Sequence, residues 1–252
     1  MESISLPTDH SPGKPLEVIV WGEYACYTRP EAKAERVSYH VPTPSGVRGM
    51  LEAILWKPEF NYRIREIHVL KPIRFVSLLR NEITDKMPVK MPVSRTTVPS
   101  PIDIAEKRTQ RHTLALYDVA YRILTDIVLR PDVTDDPAKY RDQFRRRVKR
   151  GERFHQPYLG CREFAANFCA IEDTPEILRR ETHNLQPIRQ NLNLGLMLFD
   201  LAFPSNSDAN FPLFFDAVLT QGILTVPEAE YETLSKLAGP WLPNASKREV
   251  SP

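Results

Sequence analysis

Leu114–Leu129 reads LALYDVAYRILTDIVL, and Asp136–Gly151 reads DPAKYRDQFRRRVKRG. The first stretch is rich in β-branched and aromatic side chains. It is predicted to be a long strand with Tyr117, Val119, Tyr121 and Ile123 on one side. The second is a helix with both ends marked: Asp136 caps it, Pro137 takes the first helical position and Gly151 stops it. Tyr140, Phe144 and Val148 recur every fourth residue and make a narrow apolar stripe. A short helix with so narrow a stripe takes its stability from packing, so it has to lie on a sheet.

Upstream the same pattern recurs. Leu16–Trp21 (LEVIVW) is a short strand. From Ser45, a candidate cap, SGVRGMLEAILW reads as a helix with Val47, Met50, Leu51, Ile54 and Leu55 on one face, and Pro58 stops it. Tyr62–Leu70 and Ile73–Ile83 are extended stretches divided by Pro72, and Leu159–Ile171 (LGCREFAANFCAI) reads as a further strand. Strand, helix, strand, strand, helix, strand is the order of the split βαβ unit. The predicted class is therefore α+β: a ferredoxin-like (RRM-like) domain over residues 16–172, with an irregular basic insert at 84–111. Leu194–Phe203 and Phe214–Val226 suggest a small C-terminal antiparallel β appendix, within residues 173–228. Residues 1–15 read as a disordered lead and 229–252 as a mostly flexible tail.

Charge is the second strong signal. Lys139–Arg153 holds eight basic residues against two acids, a net +6 on a chain whose total is +2, so the other 237 residues carry −4. Such a local field suits a phosphate backbone, although a basic run is also what a merely solvated helix face looks like. Arg141, Arg145 and Lys149 lie on one flank of the stripe, and Lys139, Arg146 and Arg150 on the other. Arg147 falls nearly on the stripe and has to snorkel or find a buried partner.

Other classes are disfavoured by what the chain lacks. No apolar run approaches the roughly 18 residues of a membrane span, and the first fifteen residues have no apolar core of a secretion signal. Cys26, Cys161 and Cys169 have neither CxxC nor zinc spacing and suit a reduced, cytoplasmic protein. With 9 Gly against 23 Pro and no Gly-rich phosphate loop, nucleotide-triphosphate chemistry has no support. No metal-ligand spacing and no cofactor motif is visible.

Several longer segments carry a family resemblance: VWGEYACYTRPE (Val20–Glu31), ERVSYHVPTPSGVRGMLEAILWKP (Glu35–Pro58), IHVLKPI (Ile67–Ile73), LRNEI (Leu79–Ile83), LYDVAYRI (Leu116–Ile123) and FRRRVKRGERFHQPYLGCREF (Phe144–Phe164). In this order they resemble the subtype I-C branch of the CRISPR-associated Cas five family, in the RAMP superfamily, from about residue 16 to 228. The resemblance implies a metal-independent endoribonuclease that cuts the repeats of precursor CRISPR RNA. It also implies that the product's 5′ handle stays bound, within an interference (Cascade) complex beside backbone and large subunits. The family's catalytic pattern, a Tyr before the Trp of the first helix and a Lys-His pair opening the second, maps here onto Leu55 before Trp56, Lys139 and Tyr140. Only the Lys is retained.

The remaining assignments come from chemistry. Cleavage by the neighbouring 2′-OH needs a base, a cation or donor for the crowded phosphate, and an acid for the leaving 5′-oxygen. The candidate catalytic residues are Lys139 for the phosphate, Tyr140, and His155 as base or acid, with His40 the next-placed histidine. Candidate RNA-binding residues are Tyr24, Arg29, Arg36, Arg48, Arg141, Arg145, Arg146, Lys149, Arg150 and Arg153. Three readings stay open on the sequence: an RNA-processing enzyme, a non-catalytic handle-binding subunit, and a general nucleic-acid binder.

Overall fold

The computed structural model describes residues 15–32, 35–84, 104–204 and 210–238. The expected lead (except residue 15), most of the basic insert (85–103) and the last fourteen residues of the tail lie outside them. In chain order the elements are β1 (Leu16–Ala25), β2 (Arg36–Val37), α1 (Pro44–Ile54), β3 (Phe60–Val69), β4 (Phe75–Ile83), α2 (Ile104–Lys107) and β5 (Arg108–Leu129). They continue as α3 (Pro137–Arg150), β6 (Asn167–Cys169), α4 (Glu176–Glu181), β7 (Leu192–Ala202), β8 (Phe211–Thr220), β9 (Ile223–Thr225) and α5 (Glu228–Ala238).

β5, 22 residues long, is the axis. From Leu116 to Thr125 it pairs with β1, and from Tyr121 to Leu129 with β3, both antiparallel. β6 adds beyond β1, so four strands run β6-β1-β5-β3. The N-terminal part of β5, Arg108–Leu116, pairs instead with β4, and β2 joins it in parallel at Thr113–Leu114. Between the two regions Asp118 has φ 53, a left-handed backbone that Asp tolerates better than most residues. Its carboxylate is held by Lys71 at 2.6 Å and Arg74 at 2.5 Å. This irregularity upsets the expected one-sided alternation: Val119, Tyr121 and Ile123 are buried, but Tyr117 is exposed. The result is a mixed α/β fold built on one long, largely antiparallel sheet.

The two amphipathic helices behave as their stripes dictate. Val47, Met50, Leu51 and Ile54 of α1, with Tyr140, Phe144 and Val148 of α3, share one core with Val18 and Val20 of β1 and Tyr121 and Ile123 of β5. The alternate position, Ile19, points to a second cluster with Leu70, Ala120, Leu178 and Leu185, which covers the other face. Aromatic edges lock α3 down: Tyr140 against Phe60 at 5.3 Å, and Phe144 against Tyr62 at 5.6 Å.

Four expectations need correction. α1 is capped by Thr43, whose hydroxyl accepts from the Gly46 N–H, because Pro44 occupies the first turn; Ser45 lies inside it. The strand expected over 159–171 is reduced to Asn167–Cys169, since Leu159–Phe164 closes on itself, with the Leu159 N–H donating to the Phe164 carbonyl. The ends of the insert are ordered: Thr84 donates to the Lys107 carbonyl, and residues 108–111 are already strand. Residues 229–238, placed in the tail, belong to α5 (Glu228–Ala238), because Leu234 is buried and the Tyr231 hydroxyl accepts from the Ile64 N–H. The β7–β8 hairpin is joined to the main sheet through β9, which pairs with both β8 and β3. No helix among the described residues is long and apolar enough to cross a membrane.

Candidate functional site

The N-terminus of α3 brings a lysine, a tyrosine and two aspartates together. Asp136 caps the helix through the Ala138 N–H at 2.8 Å. Asp135, just outside, accepts from Lys139 Nζ at 2.9 Å and from the Tyr140 hydroxyl at 2.5 Å. These two donors hold the Asp135 carboxyl below its ordinary range. Conversely, the hydrogen bond to Asp135, with burial, pushes the Tyr140 phenol up to about 12. Tyr140 is thus a buried donor in the core, a poor proton acceptor near neutrality. Lys139 is different: its ammonium is well exposed, oriented by Asp135, and sits in the first turn, at the positive end of the helix dipole.

His155 lies at the other end of the same helix. Twelve residues separate Lys139 from Gly151, about 18 Å along an α-helix, and His155 is four residues further on. Lys139 and His155 therefore do not form one hydrogen-bonded constellation, contrary to the grouping expected from sequence. What His155 joins is the C-terminus of α1. The Phe154 and His155 N–H groups both donate to the Ala53 carbonyl, at 2.8 and 3.1 Å, and Arg147 Nη1 donates to the Ile54 carbonyl at 2.6 Å. That carbonyl is the partner Arg147 required. Leu55, at the position of the family tyrosine, is buried and has no chemistry to offer, whereas Trp56 and Phe154 are exposed, 41% and 72%.

Between these ends runs the basic face. Arg145, Arg146, Lys149, Arg150 and Arg153 are exposed. Arg145 is lightly paired with Asp142 at 3.1 Å and Arg150 with Glu152 at 3.5 Å, both in solvent, where such pairs contribute little and yield to a phosphate. Arg141 is half-buried beside them. Arg145, Arg146 and Lys149 line a groove with Glu17 and Ala170.

The expected residues around β1 meet different fates. Tyr24 is half-buried against Tyr117 at 5.6 Å and Phe164 at 5.8 Å. Arg29 lies over the Tyr39 ring at 4.9 Å. Arg36 pairs with Glu163 at 3.1 Å and Glu82 at 3.3 Å. Arg48 is the clear correction: its guanidinium is held by Asp200 and Glu52 inside the fold and is largely buried. Sequence reasoning missed Arg80, which bonds Glu163 and Glu82 and so joins Arg36 in one network with Arg111. FVSLLRNEI (Phe75–Ile83) has no polar alternation to mark it, and one of its partners, Glu163, is 83 residues away. Among the described residues no three His, Cys, Asp or Glu side chains group as metal ligands.

The family model for Cas5d, described as CRISPR-associated protein (Cas5), matches residues 16–227. The chain is 45% identical over 239 residues to a CRISPR pre-crRNA endoribonuclease Cas5d from Thermus thermophilus, covering 88% of this chain and 95% of that one. It is 42% identical over 218 residues to a protein of the same name from Mannheimia succiniciproducens, covering 84% and 94%. A solved structure titled as a CRISPR-associated protein shares the fold, with TM-score 0.56 and 24% identity over 85% of this chain and 92% of that one. The chain belongs to the Cas5d family of CRISPR-associated proteins.

Proposed function

We propose that this chain is a metal-independent endoribonuclease that cuts CRISPR repeat RNA and keeps the 5′ handle of its product as a subunit of a type I-C Cascade complex. The observation that carries this is its 42–45% identity, over nearly their whole length, to two relatives named pre-crRNA endoribonucleases. The basic α3 face supports it, since a cleavage site must first neutralise a phosphate backbone. The strand order β6-β1-β5-β3, with α1 and α3 packed across one face, supports a ferredoxin-like unit over 16–172, with 173–228 as its β appendix. Reduced thiols and a transcript as substrate suit the cytoplasm.

In this reading the neighbouring 2′-OH attacks the scissile phosphorus and gives its proton to solvent water, the P–O5′ bond breaks, and Lys139 stabilises the crowded phosphate and protonates the leaving 5′-oxygen. Tyr140 stays protonated and positions Asp135, which orients Lys139. His155, at the far end of α3, meets the RNA two or more phosphates away and binds rather than transfers a proton at the cut. Arg141, Arg145, Arg146, Lys149, Arg150 and Arg153 hold phosphates without reading bases. Tyr24, Arg29 and Arg36 border the handle.

Purified chain with cognate repeat RNA and excess chelator should give a single cut with a 2′,3′-cyclic phosphate end. Tight binding without any cut favours the non-catalytic handle-binding reading. Converting Arg146 and Lys149 to Ala should weaken binding alike for all sequences. It should also make the salt slope shallower by roughly 0.7–0.9 for each phosphate that is no longer neutralised. An unchanged slope would reduce α3 to a solvated face.

A further inference from the structure

β2, the residues after it and the base of the β4–β5 arm enclose a second concavity, on the side of the sheet edge away from α3's N-terminus. Its volume is about 340 Å³, inside the roughly 300–1,000 Å³ range of small-ligand sites. The topology explains who lines it. β2 pairs with Thr113–Leu114, and Phe75 and Ser77 alternate onto the face that carries Leu114. Phe75 and Leu114, both partly exposed, with Val37 make apolar walls. Arg29 stands at the rim, stacked on Tyr39 and paired with Glu31 at 3.4 Å.

His40 is the informative member. Its ring meets Phe75 edge-on at 5.1 Å. Its Nδ1 is sealed from solvent with no hydrogen-bond partner. An imidazolium would carry an N–H there with no acceptor, an arrangement that costs free energy. Burial and the nearby Arg29 charge both lower the His40 pKa, in agreement. A neutral ring with its proton on Nε2 avoids that cost, and because His40 lines the concavity such a ring offers one N–H donor there. Of the residues lining the concavity Arg29 is the cation, and its partner Glu31 is a solvent-exposed carboxylate that yields readily to a phosphate; the Arg36, Arg80 and Arg111 network lies on the opposite face of the β4–β5 arm. An aromatic edge, apolar walls, an imidazole N–H donor and one arginine at the rim are the parts that hold one unstacked base with its phosphate outside.

We propose that this pocket receives a single unpaired nucleobase of the bound RNA, packed against Phe75 and Leu114 and hydrogen-bonded by the His40 Nε2–H, with its phosphate at Arg29. The proposal rests on the RNA-binding reading above and adds a base-reading site remote from the cut.

The test is binding of cognate repeat RNA carrying one abasic site at each unpaired position in turn, with wild type, His40→Ala, His40→Gln and Phe75→Ala. At one position the abasic RNA should bind the wild type about tenfold more weakly. The same abasic site should cost nothing further in His40→Ala or Phe75→Ala. His40→Gln, which keeps an N–H donor, should recover part of the discrimination. Phe75 is partly exposed, so its truncation leaves the fold intact even if His40→Ala disturbs the packing. Wild type that binds repeat RNA while every abasic loss persists in full in both alanine variants overturns the pocket and leaves the RNA-binding reading standing. Wild type that binds no repeat RNA overturns both.

Discussion

Lys139→Ala should slow single-turnover cleavage of the cognate repeat by about 10²-fold or more, while RNA affinity falls only modestly. The two effects separate because they draw on different groups. Binding is spread over a segment with eight cations, so removing one leaves most of the field intact. The reaction concentrates new negative charge on one phosphate, and in this reading Lys139 is the ammonium beside it. A factor of 10² corresponds to about 2.7 kcal/mol of transition-state stabilisation, ordinary for one well-placed donor. Its placement comes from Asp135 at 2.9 Å. Tyr140→Phe removes one donor to Asp135 but no proton acceptor, since a phenol pushed up to about 12 takes no proton near neutrality, so it should slow the rate far less than Lys139→Ala. His155→Ala should weaken binding and spare the rate. A 2′-deoxy nucleotide at the cut should abolish cleavage in every variant, since the nucleophile belongs to the RNA. A Lys139→Ala rate equal to wild type would remove Lys139 from the chemistry.

What could be read from the sequence was what local periodicity encodes. The three-residue stripe Tyr140, Phe144, Val148 and its caps placed α3 between Pro137 and Arg150, as observed. The face of α1 was equally legible, although its cap moved from Ser45 to Thr43 because a proline fills the first turn. Non-local facts were not legible. β5 serves two partners on either side of Asp118, and no pattern in LALYDVAYRI announces that a left-handed residue will turn Tyr117 outward. The short β6 failed for a related reason: LGCREFAANFCAI is apolar enough for a strand, but the turn ending at Phe164 takes its first half. At the site, sequence adjacency misled twice. Lys139 and His155 bracket one charged helix in sequence and sit at its opposite ends in space. Arg48 looked like one more surface cation, because the carboxylate that claims it is 152 residues away.

Arg48→Ala should lower the unfolding free energy by about 3–5 kcal/mol, a loss read as a lower denaturant midpoint with unchanged slope. An exposed ion pair would contribute no more than about 1 kcal/mol, so the burial of this one decides the size. The Arg48 side chain is 15% exposed, Glu52 15% and Asp200 6%. Nε and Nη2 meet the two Asp200 oxygens at 3.0 and 2.9 Å, and Nη1 meets Glu52 at 2.8 Å, tying α1 to β7. Burial works against the Arg48 charge, but the two carboxylates outweigh it and hold the guanidinium fully charged. Removing the arginine leaves both carboxylates close together in a largely buried site; of the donors to Asp200, the Leu201 N–H remains. Replacing all three with apolar residues of similar size, Arg48→Met with Glu52→Leu and Asp200→Leu, should recover most of the loss, because the cost lies in the uncompensated charges. RNA affinity per folded molecule should be the same in both variants, since the guanidinium is paired inside the fold. A stable Arg48→Ala protein with weakened RNA binding would return Arg48 to the nucleic-acid surface and make its bonds to Asp200 and Glu52 incidental.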